Sequence, residues 1–393
     1  MTTLAVAAVA ARMLAEAAAL DGHSVVALDL FGDADTRRAS QCWWPIGAPG
    51  SMRIDADCVL GALHLLARQH RADVIGWIPG SGFEGQPDLL EAGARILPLI
   101  GTPVDAVRRV RDPDTFFGVL AAHGIAYPAV SLTAPADADG WLLKDANGCG
   151  GWHIRHAGAD PGVASEHAAP YSPYSPYSPC APYAPYYQRE MPGAPMSATF
   201  IADGAQAMLL GINELIVRPL GMRPHVYAGC IGPVAVTPDV AHRVDATVRV
   251  LTAEFGLRGW CSLDFICDGD AIGVLEVNPR PPASLALYAQ RGLIDAQLRA
   301  CLQGELPRAG AFAARHVAGQ QIVYARHSST LAATHALHLA SRADVHDLPA
   351  FGTRIAAGDP VCSVSAAGDS AEQVKALLAA ARDRLIRNLE TPR

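Results

Sequence analysis

Leu263-Asp264-Phe265-Ile266-Cys267-Asp268-Gly269-Asp270-Ala271-Ile272-Gly273-Val274-Leu275-Glu276-Val277-Asn278-Pro279-Arg280 is the stretch that decides how this chain folds. Two apolar runs, Leu263 to Cys267 and Ile272 to Asn278, meet at Asp268-Gly269-Asp270, a strong hairpin signal. Glu276 and Asn278 are two apart on one strand, so they face the same side of the sheet. An odd number of residues in the hairpin loop places Asp264 opposite Glu276, with Cβ atoms roughly 5 Å apart. Two carboxylates and an amide oxygen on one face make a hard-oxygen site, which suits magnesium together with substrate phosphates and water. Without a cation, paired carboxylates in an apolar strand repel each other and resist burial. The alternative is a solvated hairpin edge, and the surrounding Val, Leu and Ile are the wrong context for one.

Upstream, Trp141-Leu142-Leu143-Lys144 is a strand running straight into Asn147-Gly148-Cys149-Gly150-Gly151. Glycines let backbone N–H groups converge on phosphate oxygens, and a lysine on the preceding strand adds a point charge. Alone, such a turn reads equally well as an ordinary hairpin. Beside a metal site about 130 residues later it gains meaning. Cys149 is read as a loop residue rather than a nucleophile, and His153 and His156 as surface or ribose-side residues rather than ligands.

The elements around these motifs alternate. Leu4 to Leu20 reads as a strand entering a helix rather than a signal peptide, because it lacks a basic start and Arg12 and Glu16 interrupt it at helical spacing. Val25 to Leu30 and Asp73 to Ile78 are short apolar strands, the second stopped by Pro79-Gly80-Ser81-Gly82, with helical spacing from Val59 to Arg68 between them. That alternation predicts a small parallel sheet with helices on its faces, without a dinucleotide glycine fingerprint. Further on, Asp114 to His123 and Pro238 to Phe255 read as helices. Met196 to Ala202 and Ala207 to Asn213 read as strands joined at Asp203-Gly204, and another helix starts near Ser284. The last eighty or so residues hold a strand at Gln321 to Tyr324 and a helix from Ser370 to about Asn388, with Gly352 to Val364 as a hairpin closing this region or, less simply, a small β-barrel turn. Pro170 to Tyr187 contains three consecutive Tyr-Ser-Pro units. Proline at that density blocks both helix and ladder, so a polyproline-like surface excursion is expected, either a lid or docking site or an expanded loop without a role.

Composition bounds the partners. The chain has 393 residues, half of them hydrophobic, with a net charge of −7 and no long basic run, which argues against a nucleic-acid surface. No apolar stretch approaches the roughly 20 residues needed to cross a bilayer. Nine scattered cysteines without a CxxC pair suggest a reducing cytoplasmic setting.

Glu276-Val277-Asn278-Pro279-Arg280 ending an apolar strand, Asp264 across the hairpin, and Lys144 before the glycine turn together resemble the ATP-grasp superfamily. The resemblance spans about residues 105 to 300 and is nearest to predicted carboligases distantly related to biotin carboxylase. It implies a flavodoxin-like pre-ATP-grasp domain over 1–105, a two-lobed ATP-grasp domain over 106–305 with the Tyr/Ser/Pro-rich insertion at 170–187, and a small C-terminal α+β region over 306–393. It implies ATP and Mg2+ as cofactors. By match, Lys144 holds the α- and β-phosphates, and Gly148, Cys149, Gly150 and Gly151 form a flexible phosphate-covering loop. Tyr187, Gln188, Arg189 and Glu190 form the strand whose backbone reads adenine. Asp264, Glu276 and Asn278 hold magnesium, and Arg280 joins Lys144 as a catalytic residue by stabilising the transferring phosphoryl group.

Two departures stand out. Relatives usually carry an early lysine after the pre-domain, where this chain has Arg109 to Asp114 and only Arg111 as a substitute. Ser262, two before Asp264, stands where some peptide-forming relatives have arginine. The implied chemistry is carboxylate–amine ligation through an acylphosphate, with small-molecule carboxylate and amine substrates. Biosynthesis of a one-carbon carrier such as tetrahydromethanopterin or methylofuran is an associated setting, and a homodimer stays open. The rival readings are a nucleotide-binding regulatory or scaffold protein with lapsed catalysis, and a carboxylase acting through carboxyphosphate.

Overall fold

A computed structural model describes residues 2–48, 50–69, 73–158 and 182–390. The chain begins with β1 (Thr3–Ala7), α1 (Arg12–Leu20), β2 (Ser24–Asp29), α2 (Ala34–Arg38), β3 (Cys42–Pro45), α3 (Ala56–Gln69), β4 (Val74–Pro79) and α4 (Pro87–Ile96). The four strands pair in the order β3-β2-β1-β4, all parallel. The two-residue period of β1 explains both covered faces. Leu4 and Val6 pack against Leu14, Ala15 and Ala18 of α1, while Ala5 and Ala7 join the cluster holding Leu63 and Leu66 of α3 and Leu90 of α4. The expected small parallel sheet with helices on its faces is therefore present, in the strand order of a doubly wound half-sheet. Its connections diverge between β1 and β4, which opens a crevice at the carboxyl ends of the strands.

Helices α5 (Val104–Arg111) and α6 (Pro113–Ala122) lead out of this domain. Asp112 both ends α5 and caps α6, its side chain accepting from the Thr115 N–H at 3.0 Å with Pro113 in the first turn. Then β5 (Val130–Ser131), β6 (Trp141–Lys144), β7 (Ile154–His156) and β8 (Tyr186–Arg189) form an antiparallel sheet ordered β5-β8-β6-β7. Most of the proline-rich stretch, within residues 159–181, lies outside the described residues. Its described end differs from a surface excursion. Tyr183 is buried in the core cluster with Phe117, and Tyr186 and Tyr187 already belong to β8. The Asn147 side chain explains this, since it donates to the Tyr183 carbonyl at 2.8 Å and accepts from the Tyr183 N–H at 3.2 Å.

The largest sheet has the order β13-β12-β9-β10-β11-β14-β18-β16 and is antiparallel throughout. It comprises β9 (Ala194–Asp203), β10 (Ala207–Leu220), β11 (Arg223–Gly232), β12 (Arg258–Asp268), β13 (Ala271–Asn278), β14 (Val317–Tyr324), β16 (Val345–His346) and β18 (Pro360–Gly368). Between β11 and β12, α7 (Pro238–Phe255) starts at a Thr237 cap with Pro238 in the first turn and stops at Gly256 in a left-handed conformation. Its Val240, Val244, Val248, Leu251 and Phe255 form one stripe against Phe200, Leu263 and Phe265 of the sheet. The helix expected near Ser284 is a 3-10 segment, Ala283–Tyr288, and α8 (Leu293–Leu302) follows it.

The carboxy-terminal strands do not stand apart. β14 pairs with β11, so the sheet runs on across residue 305, and α10 (Ala371–Glu390) packs its Val374 and Leu378 onto that extension. The stretch from Gly352 to Val364 is not one hairpin. Strand β17 (Arg354–Ile355) pairs with β15 (Ser329–Thr330), which precedes α9 (Ala333–Ala340), whereas β18 pairs with β14 and β16. The turn between them is tied back to Ala325, whose carbonyl accepts from Gly358 and whose N–H donates to Asp359.

Candidate active site

Asp264 lies opposite Glu276 in the hairpin, as the spacing predicts, but for a different reason. Asp268 pairs with Ala271 around a two-residue turn, which by itself would set Leu275 across from Asp264. A bulge at Leu275 shifts the register by one and brings Glu276 into place. The Asp264 carboxylate accepts from Ser197 Oγ of β9 at 2.7 Å and from Asn278 Nδ2 at 3.1 Å. The Asn278 side-chain oxygen accepts from Arg280 at 3.1 Å, and its second lone pair remains.

The two carboxylates have opposite electrostatics. Burial, and then Glu276, push Asp264 up to about 6. Burial also pushes Glu276 up, but Arg111, His153, Lys144 and Arg280 outweigh it and hold Glu276 below the usual range. A proton or a cation relieves a buried carboxylate facing a second one, and this oxygen set fits a magnesium ion.

Lys144 ends β6 at 4% exposure, and its ammonium meets no hydrogen-bond or ion-pair partner among the described residues. Burial lowers its pKa, against the pull of Glu276 and Asp264. An unpaired buried lysine on the wall of a cleft fits a ligand phosphate as its counter-charge. The glycine turn beside it is held on three sides. Arg111 donates to the carbonyls of Ala146 at 2.7 Å and Gly148 at 3.0 Å, Asn147 clamps Tyr183, and the Gly150 carbonyl accepts from the Tyr227 N–H at 2.9 Å. Gly151 sits where a Cβ would collide with the His225 carbonyl. Arg111 also reaches Glu276 at 3.1 Å, so it ties the loop to β13.

A cleft of about 1230 Å³ runs between the pre-domain, the small sheet and the large one. Lys144, Cys149, Gly150, Gly151, Gln188, Arg189, Glu190, Asp264, Glu276, Asn278 and Arg280 all line it, whereas Gly148 and Tyr187 do not. Gln188 is buried, with its Nε2 unpartnered among the described residues. Burial pushes the Cys149 thiol up to about 12, so it is no nucleophile.

Sequence reasoning missed Glu84, three per cent exposed in the turn after β4. One Glu84 oxygen accepts from Arg280 Nε at 2.8 Å and the other from the Gly82 N–H at 2.7 Å. The signal was an acidic residue inside Gly80-Ser81-Gly82-Phe83-Glu84-Gly85, beyond an apolar strand. His153, expected at the surface or on the ribose side, is buried and lines the cleft, its pKa lowered by burial.

Two sheet-bearing lobes thus enclose a cleft lined by a glycine-rich turn, a buried lysine and two facing carboxylates. The family profile described as the ATP-grasp domain matches residues 115–284. The carbamoyl phosphate synthase large chain of Thermus thermophilus is 26% identical over 205 residues, covering 49% of this chain and 19% of that protein. Among solved structures, biotin carboxylase from Campylobacter jejuni superposes with a TM-score of 0.72 at 14% identity, over 100% of this chain and 95% of the other. L-amino acid ligase from Bacillus licheniformis gives 0.68 at 14%, over 98% and 97%. An N5-carboxyaminoimidazole ribonucleotide synthetase gives 0.67 at 15%, over 99% and 98%. At these identities the likeness is one of fold.

Proposed function

We propose that this chain is an ADP-forming ligase that uses magnesium–ATP to activate a carboxylate and join it to an amine. The observation that carries the reading is the bulged hairpin, which sets Asp264 against Glu276 in the field of Arg280, paired with Glu84, and of Lys144, which has no partner among the described residues. Asp264, Glu276 and Asn278 would hold magnesium, which supplies charge neutralisation along the phosphates. Lys144 and the backbone of Gly150 and Gly151 would position the triphosphate, and the Gln188 to Glu190 segment would face the base.

A carboxylate resists attack because a nucleophile must add charge to an anion. Moving the γ-phosphoryl group onto it gives an acylphosphate, and the amine displaces phosphate from that. Arg280 would offset the charge that develops on the phosphoryl oxygens, held at its angle by Glu84. ADP release measured against a panel of amino acids, other carboxylates, pterin-type acids and bicarbonate tests this. Amine- and carboxylate-dependent ADP supports ligation, and bicarbonate-dependent ADP alone would support carboxylation instead. Glu276→Ala that kept wild-type magnesium–ATP affinity and turnover would overturn the site.

A further inference from the structure

The cleft extends beyond the phosphate site to the carboxyl ends of the parallel strands, where four aspartates gather. Three of them are satisfied. Asp29 accepts from the N–H groups of Ala11, Phe31 and Gly32 and from Trp43 Nε1. Asp35 accepts from the N–H groups of Asp347 and Leu348 at 2.7 and 3.0 Å. Asp347 pairs with Arg12 Nε at 2.6 Å. Asp33 is 7% exposed, lines the cleft, and receives no hydrogen bond on its side chain from any described residue, not even as the cap of α2.

The neighbouring cation does not relieve it. Arg12 is committed to Asp347 and to Glu16 at 2.7 Å, with Asp35 next at 3.8 Å. Around Asp33, the carboxylates of Asp347, Asp29 and Asp35 oppose its ionisation and Arg12 favours it. Burial, followed by Asp347, Asp29 and Asp35, pushes Asp33 well above the usual carboxylate range, and Arg12 offsets this only in part. A buried, partnerless carboxylate on a cavity wall costs free energy unless a cation arrives.

We infer that Asp33 is the anchor for a protonated nitrogen carried on the apolar stem of the second substrate, which places the amine partner at the pre-domain end of the cleft. A metal ion suits the corner less well, because the oxygens of Asp29 and Asp35 already face N–H donors and Arg12 stands beside them. An ammonium on an alkyl or aryl body suits it better, because Met13, Leu30, Phe31 and Trp43 line the same stretch of cleft. The crevice at the diverging strand ends is where open parallel sheets take their ligands. This inference deepens the ligase reading and rests on it for the identity of the occupant as a substrate.

Calorimetry on the full chain with saturating magnesium–ADP tests it, using 2-phenylethylamine and n-hexylamine against 2-phenylethanol and n-hexanol. The amines are expected to bind and the alcohols to bind at least about tenfold more weakly. Asp33→Asn should weaken the amines about 10- to 100-fold, the loss that follows from removing one charge-assisted hydrogen bond. Equal binding of amines and alcohols, no amine binding, or unchanged amine affinity in the variant each overturns the proposal. The comparison of amine with alcohol in the wild-type chain decides the matter even if the variant fails to fold. Magnesium–ADP titrations run in parallel separate the two readings. If magnesium–ADP does not bind, the ligase reading falls, and if it binds while the amines do not, only the Asp33 anchor falls.

Discussion

Replacing Asp264 by Asn should make the metal-free protein more stable while removing its response to magnesium. The folded-state value of Asp264 is raised from 3.8 to about 6. A carboxyl group with a raised folded value favours the folded state at low pH, and that contribution is lost as pH rises from about 4 through about 6. A shift of about two units corresponds to about 3 kcal/mol of penalty above that window. Asparagine escapes the penalty and keeps an oxygen for Ser197, but it gives up the bond from Asn278 Nδ2, worth about 1 kcal/mol. The net gain at pH 8 is then about 2 kcal/mol, or about 2 to 3 °C in melting temperature for a chain of this length. Thermal unfolding at pH 4, 6 and 8, with and without magnesium–ATP, reads this directly. The wild type should lose stability between pH 4 and 6 relative to the variant, and magnesium–ATP should stabilise only the wild type. If Asp264→Asn melts below the wild type at pH 8 without metal, Asp264 is a structural acceptor and the charge argument fails.

Lys144→Ala should weaken ATP binding far more than AMP binding, measured by calorimetry, because the lysine faces phosphates. Equal losses would make it structural. Arg280→Met should keep magnesium–ATP affinity within a few-fold and lower ADP formation about 100- to 1,000-fold, as removal of one preorganised donor does. Wild-type turnover in that variant would reduce Arg280 to a packing residue. Glu84→Gln leaves the buried Arg280 without its counter-charge, so it should cost about 2 to 4 kcal/mol of stability and lower turnover more than nucleotide affinity. Unchanged unfolding and unchanged kinetics would remove Glu84 from the site.

Local rules made much of this molecule legible. Pro238 to Phe255 carries its own start, stop and apolar stripe, and the sequence-based range matches α7 at both ends. Trp141 to Lys144 likewise matches β6, and Asp268-Gly269-Asp270 marked a true hairpin. What stayed hidden depends on partners distant in sequence. Arg223 to Gly232 reads poorly as a strand because Pro224 and two glycines interrupt it, yet β10 and β14 flank it and hold it extended. The bulge at Leu275 has no composition signal at all. Tyr183 looks like one more tyrosine in a proline-rich run until Asn147, 36 residues away, clamps its backbone.

The three buried cations around Glu276 show where the boundary falls. Sequence treats Arg111, Lys144 and Arg280 alike, as positive residues near a phosphate loop or a metal strand. The structure separates them by what each already touches. Arg111 reaches Glu276 and the Ala146 and Gly148 carbonyls, and so braces the loop against β13. Arg280 is half committed, with Glu84 from the pre-domain fixing its angle from 196 residues away. Of the three, Lys144 alone has no hydrogen-bond or ion-pair partner among the described residues. A cation whose counter-charge is a ligand can be read from local sequence, because only its own position matters. A cation whose counter-charge is another side chain requires the fold, and here that side chain comes from a different domain. The same distinction explains why Asp33 went unread, since its isolation is visible only once the bonds that satisfy Asp29, Asp35 and Asp347 are in place.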